Sequence, residues 1–201
     1  MEIATEAALQ DALKDLLRKV VQTLETKERD AGSLCKLVSV MGRFGSIDVA
    51  MFLKCVRQFE EACILDAESN KKRVTLLHLN VFLDGIKQSG LVHGNVIVKK
   101  VLEHECPGIR SKILNISNPP TSQNEEDSKR QFLSSSDFVN NYASLLRLMG
   151  HLQFVPLSFF EDQLEFIWEN EEFFFTYMRQ EALSTILRLI IKLNLKSEHG
   201  G

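Results

Sequence analysis

Residues 171–196 run EEFFFTYMRQEALSTILRLIIKLNLK without a proline or a glycine, and so apolar and uninterrupted a stretch can be little other than helix. Phe173, Phe174, Tyr177, Leu183, Ile186, Leu187, Ile190, Ile191 and Leu193 recur at three- and four-residue intervals, the spacing that gathers side chains on one face. The stripe is wide, and Gln180, Glu181, Ser184, Arg188 and Lys192 leave only a narrow polar edge. A single helix, mostly buried between neighbours on two or three sides, is the expectation. Glu171 and Glu172 at its start, with Arg188, Lys192 and Lys196 towards its end, complement the helix dipole. Arg188 and Lys192 also interrupt the apolar run before it reaches the roughly 20 residues that a bilayer requires. No membrane span is expected.

The same period runs through the rest of the chain. A helix is expected over residues 5–26, capped by Thr5 and docking through Leu9, Leu13, Leu16, Leu17, Val20, Val21 and Leu24. A short one follows over 33–41, presenting Leu34, Leu37, Val38 and Met41, with Gly42 and Gly45 marking a break. Residues 46–65 should bury Val49, Phe52, Val56, Phe59 and Ile64 with Cys55 and Cys63. Residues 73–89 carry Val74, Leu77, Val81, Phe82 and Ile86 ahead of Gly90, a residue suited to a left-handed cap. A helix over 94–103 ends before Pro107-Gly108, and another over 137–149 stops at Gly150. Ser158 and Glu161 form a capping-box pattern opening the helix of Phe160, Leu164, Ile167 and Trp168. Alternating strand patterns are absent from this reading, and the expected class is all-α.

Residues 115–133 break the pattern: Pro119-Pro120 followed by Ser, Gln, Asn and charged residues bury too little apolar area to offset ordering entropy. A flexible linker or long loop there would separate an N-terminal helical array, residues 1–114, from a C-terminal helical group, residues 134–197, packed on it. Successive helices with short polar joints resemble the antiparallel stacked helix pairs of HEAT and armadillo proteins, although no fixed sequence period recurs. Residues 73–106, RVTLLHLNVFLDGIKQSGLVHGNVIVKKVLEHEC, also resemble one helix pair of the MIF4G group of translation and RNA-decay scaffolds. That resemblance covers about a sixth of the chain and implies an RNA-associated scaffold role, with no individual binding residue attached to it.

A formal charge of -3 and a pI near 6.0 exert no global pull towards nucleic acid or an acidic surface. Without a basic, then apolar, opening the chain reads as intracellular, cytoplasmic or nuclear, and Cys35, Cys55, Cys63 and Cys106 as reduced thiols. There is no phosphate loop, GxSxG elbow or HExxH pair. His93, His104, Glu105 and Cys106 lack the partners that would complete a zinc site. Cys35 with His78 or His151 reads better as a core thiol than as a nucleophile pair. The expectation is a chain without catalytic or metal residues and without a cofactor.

What remains is surface. Phe159, Phe160, Trp168, Phe173, Phe174 and Phe175 are the candidate protein-interaction anchors, with Phe159 and Phe175 off the main stripes. Glu161, Asp162, Glu165 and Glu169, followed by Glu171 and Glu172, make an acidic ridge beside them. Lys71, Lys72, Arg73, Lys99 and Lys100 are the candidate phosphate contacts of the alternative, RNA-binding reading. The leading expectation is a non-enzymatic helical scaffold or adaptor that binds a protein partner.

Overall fold

The computed structural model describes residues 2–26, 30–44, 49–69, 74–93, 101–114, 128–152 and 155–198. Among them every regular element is a helix, and the all-α class is as expected. In chain order the helices are α1 (Glu2–Thr26), α2 (Ala31–Phe44), α3 (Val49–Ser69), α4 (Leu76–His93), α5 (Pro107–Leu114), α6 (Ser128–Leu152), α7 (Leu157–Glu169), α8 (Glu171–Tyr177) and α9 (Gln180–Glu198). A further helical turn covers residues 101–104. The chain divides into two compact units, Met1–Arg110 and Ser111–Gly201, with the division inside α5. Residues 115–127 of the expected linker lie outside the described residues, and its last six, 128–133, belong to α6.

In the first unit α2 packs most extensively on α4 and next on α3. Leu34, Val38, Met41, Phe52, Val56, Phe59, Phe82, Leu83 and Ile86 are buried. The Phe59 and Phe82 rings stack at 4.3 Å with an interplanar angle of 11°. The glycine expected to break α2 instead lies inside it: a Cβ on Gly42 would stand 2.1 Å from the carbonyl oxygen of Gly85, and one on Gly85 would stand 2.7 Å from the Cα of Ser39. These two glycines let the backbones of α2 and α4 come nearer than any side chain allows. Gly90, too, lies within its helix rather than capping it, since α4 runs to His93.

α2 begins at Ala31, two residues before the expected start, and is capped by Asp30. Its carboxylate accepts hydrogen bonds from the Gly32 N–H at 3.2 Å, the Ser33 N–H at 3.0 Å and the Ser33 hydroxyl at 2.6 Å. The Ser33 hydroxyl does most to hold the Asp30 carboxyl below its ordinary range; partial burial opposes it, and the two backbone donors and nearby His78 add to it. A carboxylate with a lowered folded-state pKa contributes stability that is full above its unfolded value of about 4 and is lost as pH falls through the folded value. The stability gap between wild type and Asp30→Ala should therefore be constant near about pH 7 and close below about pH 4 in denaturant melts. A gap that stays open at the lowest pH would contradict the cap.

Pro107, read as a terminator, begins α5, where its missing N–H costs nothing. Glu60 of α3, buried, reaches this helix start and accepts the N–H groups of Gly108 and Ile109, the second at 2.7 Å. A side chain 48 residues away thus satisfies donors that a helix start leaves open. α1 is covered less than its sequence stripe suggests: Leu17 is buried, whereas Leu9, Leu16 and Val20 are exposed.

In the second unit α6 is the central element, burying Val139, Tyr142, Ala143, Leu145, Leu146, Leu148 and Met149. α9 lies along it through Ala182, Ile186 and Leu189. Gly150 does not stop α6, which continues to Leu152; a Cβ there would stand 3.0 Å from a Leu189 methyl, and its carbonyl accepts a hydrogen bond from Lys192 Nζ at 3.0 Å. Tyr142 is enclosed by Phe138, Phe166 and Phe174 at centroid distances of 5.8, 6.1 and 5.5 Å. Its buried hydroxyl donates to Gln163 Oε1 of α7, and burial pushes the phenol well above its ordinary range.

The single helix expected over residues 171–196 is two. Met178 adopts an extended conformation (φ −78°, ψ 126°) between α8 and α9. At this break Asn140 of α6 donates its amide to the Tyr177 carbonyl at 3.3 Å and accepts the Arg179 N–H on its own carbonyl at 3.1 Å, and the Ser136 hydroxyl donates to the Tyr177 carbonyl as well, at 3.3 Å. These bonds replace helical ones at a point where the local sequence offers no breaker.

Candidate functional site

The aromatic anchors separate into two groups. Phe159, Phe160 and Phe174, expected as surface anchors, are instead buried and belong to the core. Phe159, off the main stripe, is nonetheless enclosed because α7 buries a wide sector holding Phe159, Phe160, Gln163 and Ile167, and its ring meets Phe160 edge to face at 5.7 Å. Phe174 meets Tyr142, Phe166 and Phe173. Phe173 is half-buried, with its ring 5.2 Å from Tyr177. Trp168, at 72% exposure, and Phe175, at 54%, are the two that face solvent.

Trp168 occupies a defined position on α7. One residue corresponds to about 100° of rotation, so Leu157, Leu164 and Trp168 fall in one row, and Glu161 and Glu165 in the row beside it. Leu157 and Leu164 are half-buried, while both glutamates are exposed. Ile167 turns into the core, and Trp168, one position on, turns out of it. Asp162, Glu169, Glu171 and Glu172 are exposed as well. Among the described residues none of these six acids has an ion-pair partner, and no Lys or Arg occurs between Arg147 and Arg179.

A second apolar surface lies on α9, which is less buried than its sequence stripe suggests. Ala182, Ile186 and Leu189 take up the face of α9 towards α6, so Leu183, Leu187 and Ile191, about 100° round, are left exposed at 37%, 51% and 59%. The width of the stripe was the available signal: an apolar sector wider than one neighbouring helix covers leaves a row in solvent.

The RNA-contact candidates Lys71, Lys72, Arg73, Lys99 and Lys100 lie outside the described residues. Among the described residues no group of three or more His, Cys, Asp or Glu side chains is placed to hold a metal ion. Cys35, Cys55, Cys63 and Cys106 are buried thiols outside any disulfide. Burial raises the Cys35 pKa, and its thiol donates to the Gly32 carbonyl at 3.2 Å. Burial, reinforced by Glu60 and Glu105, pushes Cys106 up to about 12. Both thiols are held protonated, which disfavours nucleophilic use. Among the described residues no helix is long and apolar enough to cross a membrane. Compared with known protein families, curated proteins and solved structures, the chain shows no significant match.

Proposed function

We propose that this protein is a non-enzymatic helical adaptor whose C-terminal unit docks a protein partner. The observation that carries the reading is Trp168, a large aromatic side chain held 72% exposed by a helix whose other face is anchored in the core. Tryptophan concentrates binding energy when a partner's pocket accepts it. Phe175 adds a second exposed ring, and Leu183, Leu187 and Ile191 add an exposed aliphatic row on α9. Four buried cysteines without a disulfide suit a reducing, intracellular setting.

Affinity capture from a native extract, with wild type compared against Trp168→Ala combined with Phe175→Ala, tests the reading. At least one specifically retained protein should fall by about tenfold or more on the double variant, the effect expected of hot-spot aromatics. Helical content by circular dichroism should stay the same, because both side chains are exposed. Identical retained proteins on both baits would sink the adaptor role for this surface.

A further inference from the structure

We propose that the occupant of the α7 face is a cationic amphipathic helix from a protein partner, seated along Leu157, Leu164 and Trp168 with its Lys and Arg side chains over Glu161 and Glu165. This rests on the docking role proposed above and adds the chemistry of the partner.

Three observations carry it. The first is shape: Leu157, Leu164 and Trp168, spaced seven and four residues apart, form a ridge along one side of a 13-residue helix. Such a ridge is what a second helix packs against with its own row of apolar side chains. The second is charge. The row beside the ridge holds Glu161 and Glu165, Glu169 follows Trp168 directly, and no cation from the chain's own described residues pairs with them. A neutral or acidic helix laid on the ridge would bring these carboxylates out of water uncompensated, whereas a cationic one neutralises them. The third is the ring itself, since an exposed indole accepts a guanidinium or ammonium on its face, and the flanking carboxylates favour the same ion. An acidic border also repels nucleic acid and anionic lipid, leaving a basic protein segment as the matching partner.

Trp168 is the only tryptophan in the chain, so its fluorescence reports this face directly. Two helical peptides with the same leucine row, one flanked by Lys and Arg and the other by Glu, would be titrated into the full-length protein at low and at high salt. The cationic peptide should shift Trp168 emission to the blue and saturate, with affinity falling as salt rises. The acidic peptide should give no shift. Glu161→Lys combined with Glu165→Lys should weaken the cationic peptide by about tenfold or more, read by calorimetry as well as by fluorescence. Trp168→Ala should weaken it comparably by calorimetry.

Equal responses to both peptides, or an affinity indifferent to the double charge reversal, would overturn the cationic assignment and leave the docking role standing. No response to either peptide would overturn the cationic assignment as well; loss of a captured partner on the double aromatic variant would then show that the adaptor role survives without it.

Discussion

Gly85→Val should unfold the first unit. A Cβ at this position lies 2.7 Å from the backbone of Ser39 in α2, so relief requires whole helices to separate rather than a side chain to turn. Separation would open the contact that buries Val38, Met41, Phe82 and Ile86. Overpacking inside a closed core costs about 1–3 kcal/mol where side chains can yield, and more where they cannot. A loss of about 3 kcal/mol or more is expected, a large share of the total stability of a typical domain. Gly42→Val should behave alike, since its Cβ would meet the Gly85 carbonyl oxygen at 2.1 Å. Gly32→Ala supplies the contrast: its nearest neighbour is a His78 ring nitrogen at 3.4 Å, an ordinary contact, and its effect should stay within about 0.5 kcal/mol. Urea unfolding followed by circular dichroism separates these outcomes, and near-wild-type stability for Gly85→Val would show that the helices do not cross as described.

Tyr142→Ala should have the largest effect in the second unit. The side chain is 1% exposed, touches three other rings and donates a buried hydrogen bond to Gln163. Removing a buried aromatic side chain costs about 3–5 kcal/mol, and here the orphaned Gln163 carbonyl adds to the loss. Tyr142→Phe divides the two contributions. It keeps the ring packing and leaves only the unpaired acceptor, for an expected loss of about 1–3 kcal/mol. Chemical denaturation of both variants checks the ordering, and Tyr142→Phe as damaging as Tyr142→Ala would assign the stability to the hydrogen bond rather than to the ring cluster.

Much of this architecture could be read from spacing alone. The three- and four-residue period of Leu34, Leu37, Val38 and Met41 follows from helical geometry, and those residues are buried; of the stripe expected in the last helix Ile186 is buried, while Leu183, Leu187 and Ile191 are exposed and Ala182 and Leu189, outside that stripe, take the core face. What escaped were features whose causes lie far away in sequence. Gly42 looks like a breaker to anyone reading residues 40–45, because only the approach of α4 gives a glycine reason to sit inside a helix there. α2 begins at Ala31, two residues ahead of the expected start at 33, and that difference, within the ordinary uncertainty of helix ends, is what makes Asp30 its cap.

The candidate surface was legible in part. An aromatic-rich, acidic C-terminal segment is plain in the sequence, but which rings face outward depends on rotation about α7 and α8, and one residue of rotation parts Ile167 from Trp168. Phe159 and Phe160 are both drawn inward because α7 buries more of its circumference than a single stripe would. Leu187 was legible as apolar but not as exposed, since exposure depends on how many neighbours α9 acquires.

The Asn140 contacts have a consequence for how the tail of this molecule is aimed. With its Tyr177 and Arg179 bonds in place, residues 171–198 form an elbow; without them, nothing local keeps the same residues from extending as one straight rod. The heading of the final nineteen-residue arm is thus set from α6, by the Asn140 carboxamide seated 37 positions before Tyr177 and by the Ser136 hydroxyl on the same carbonyl.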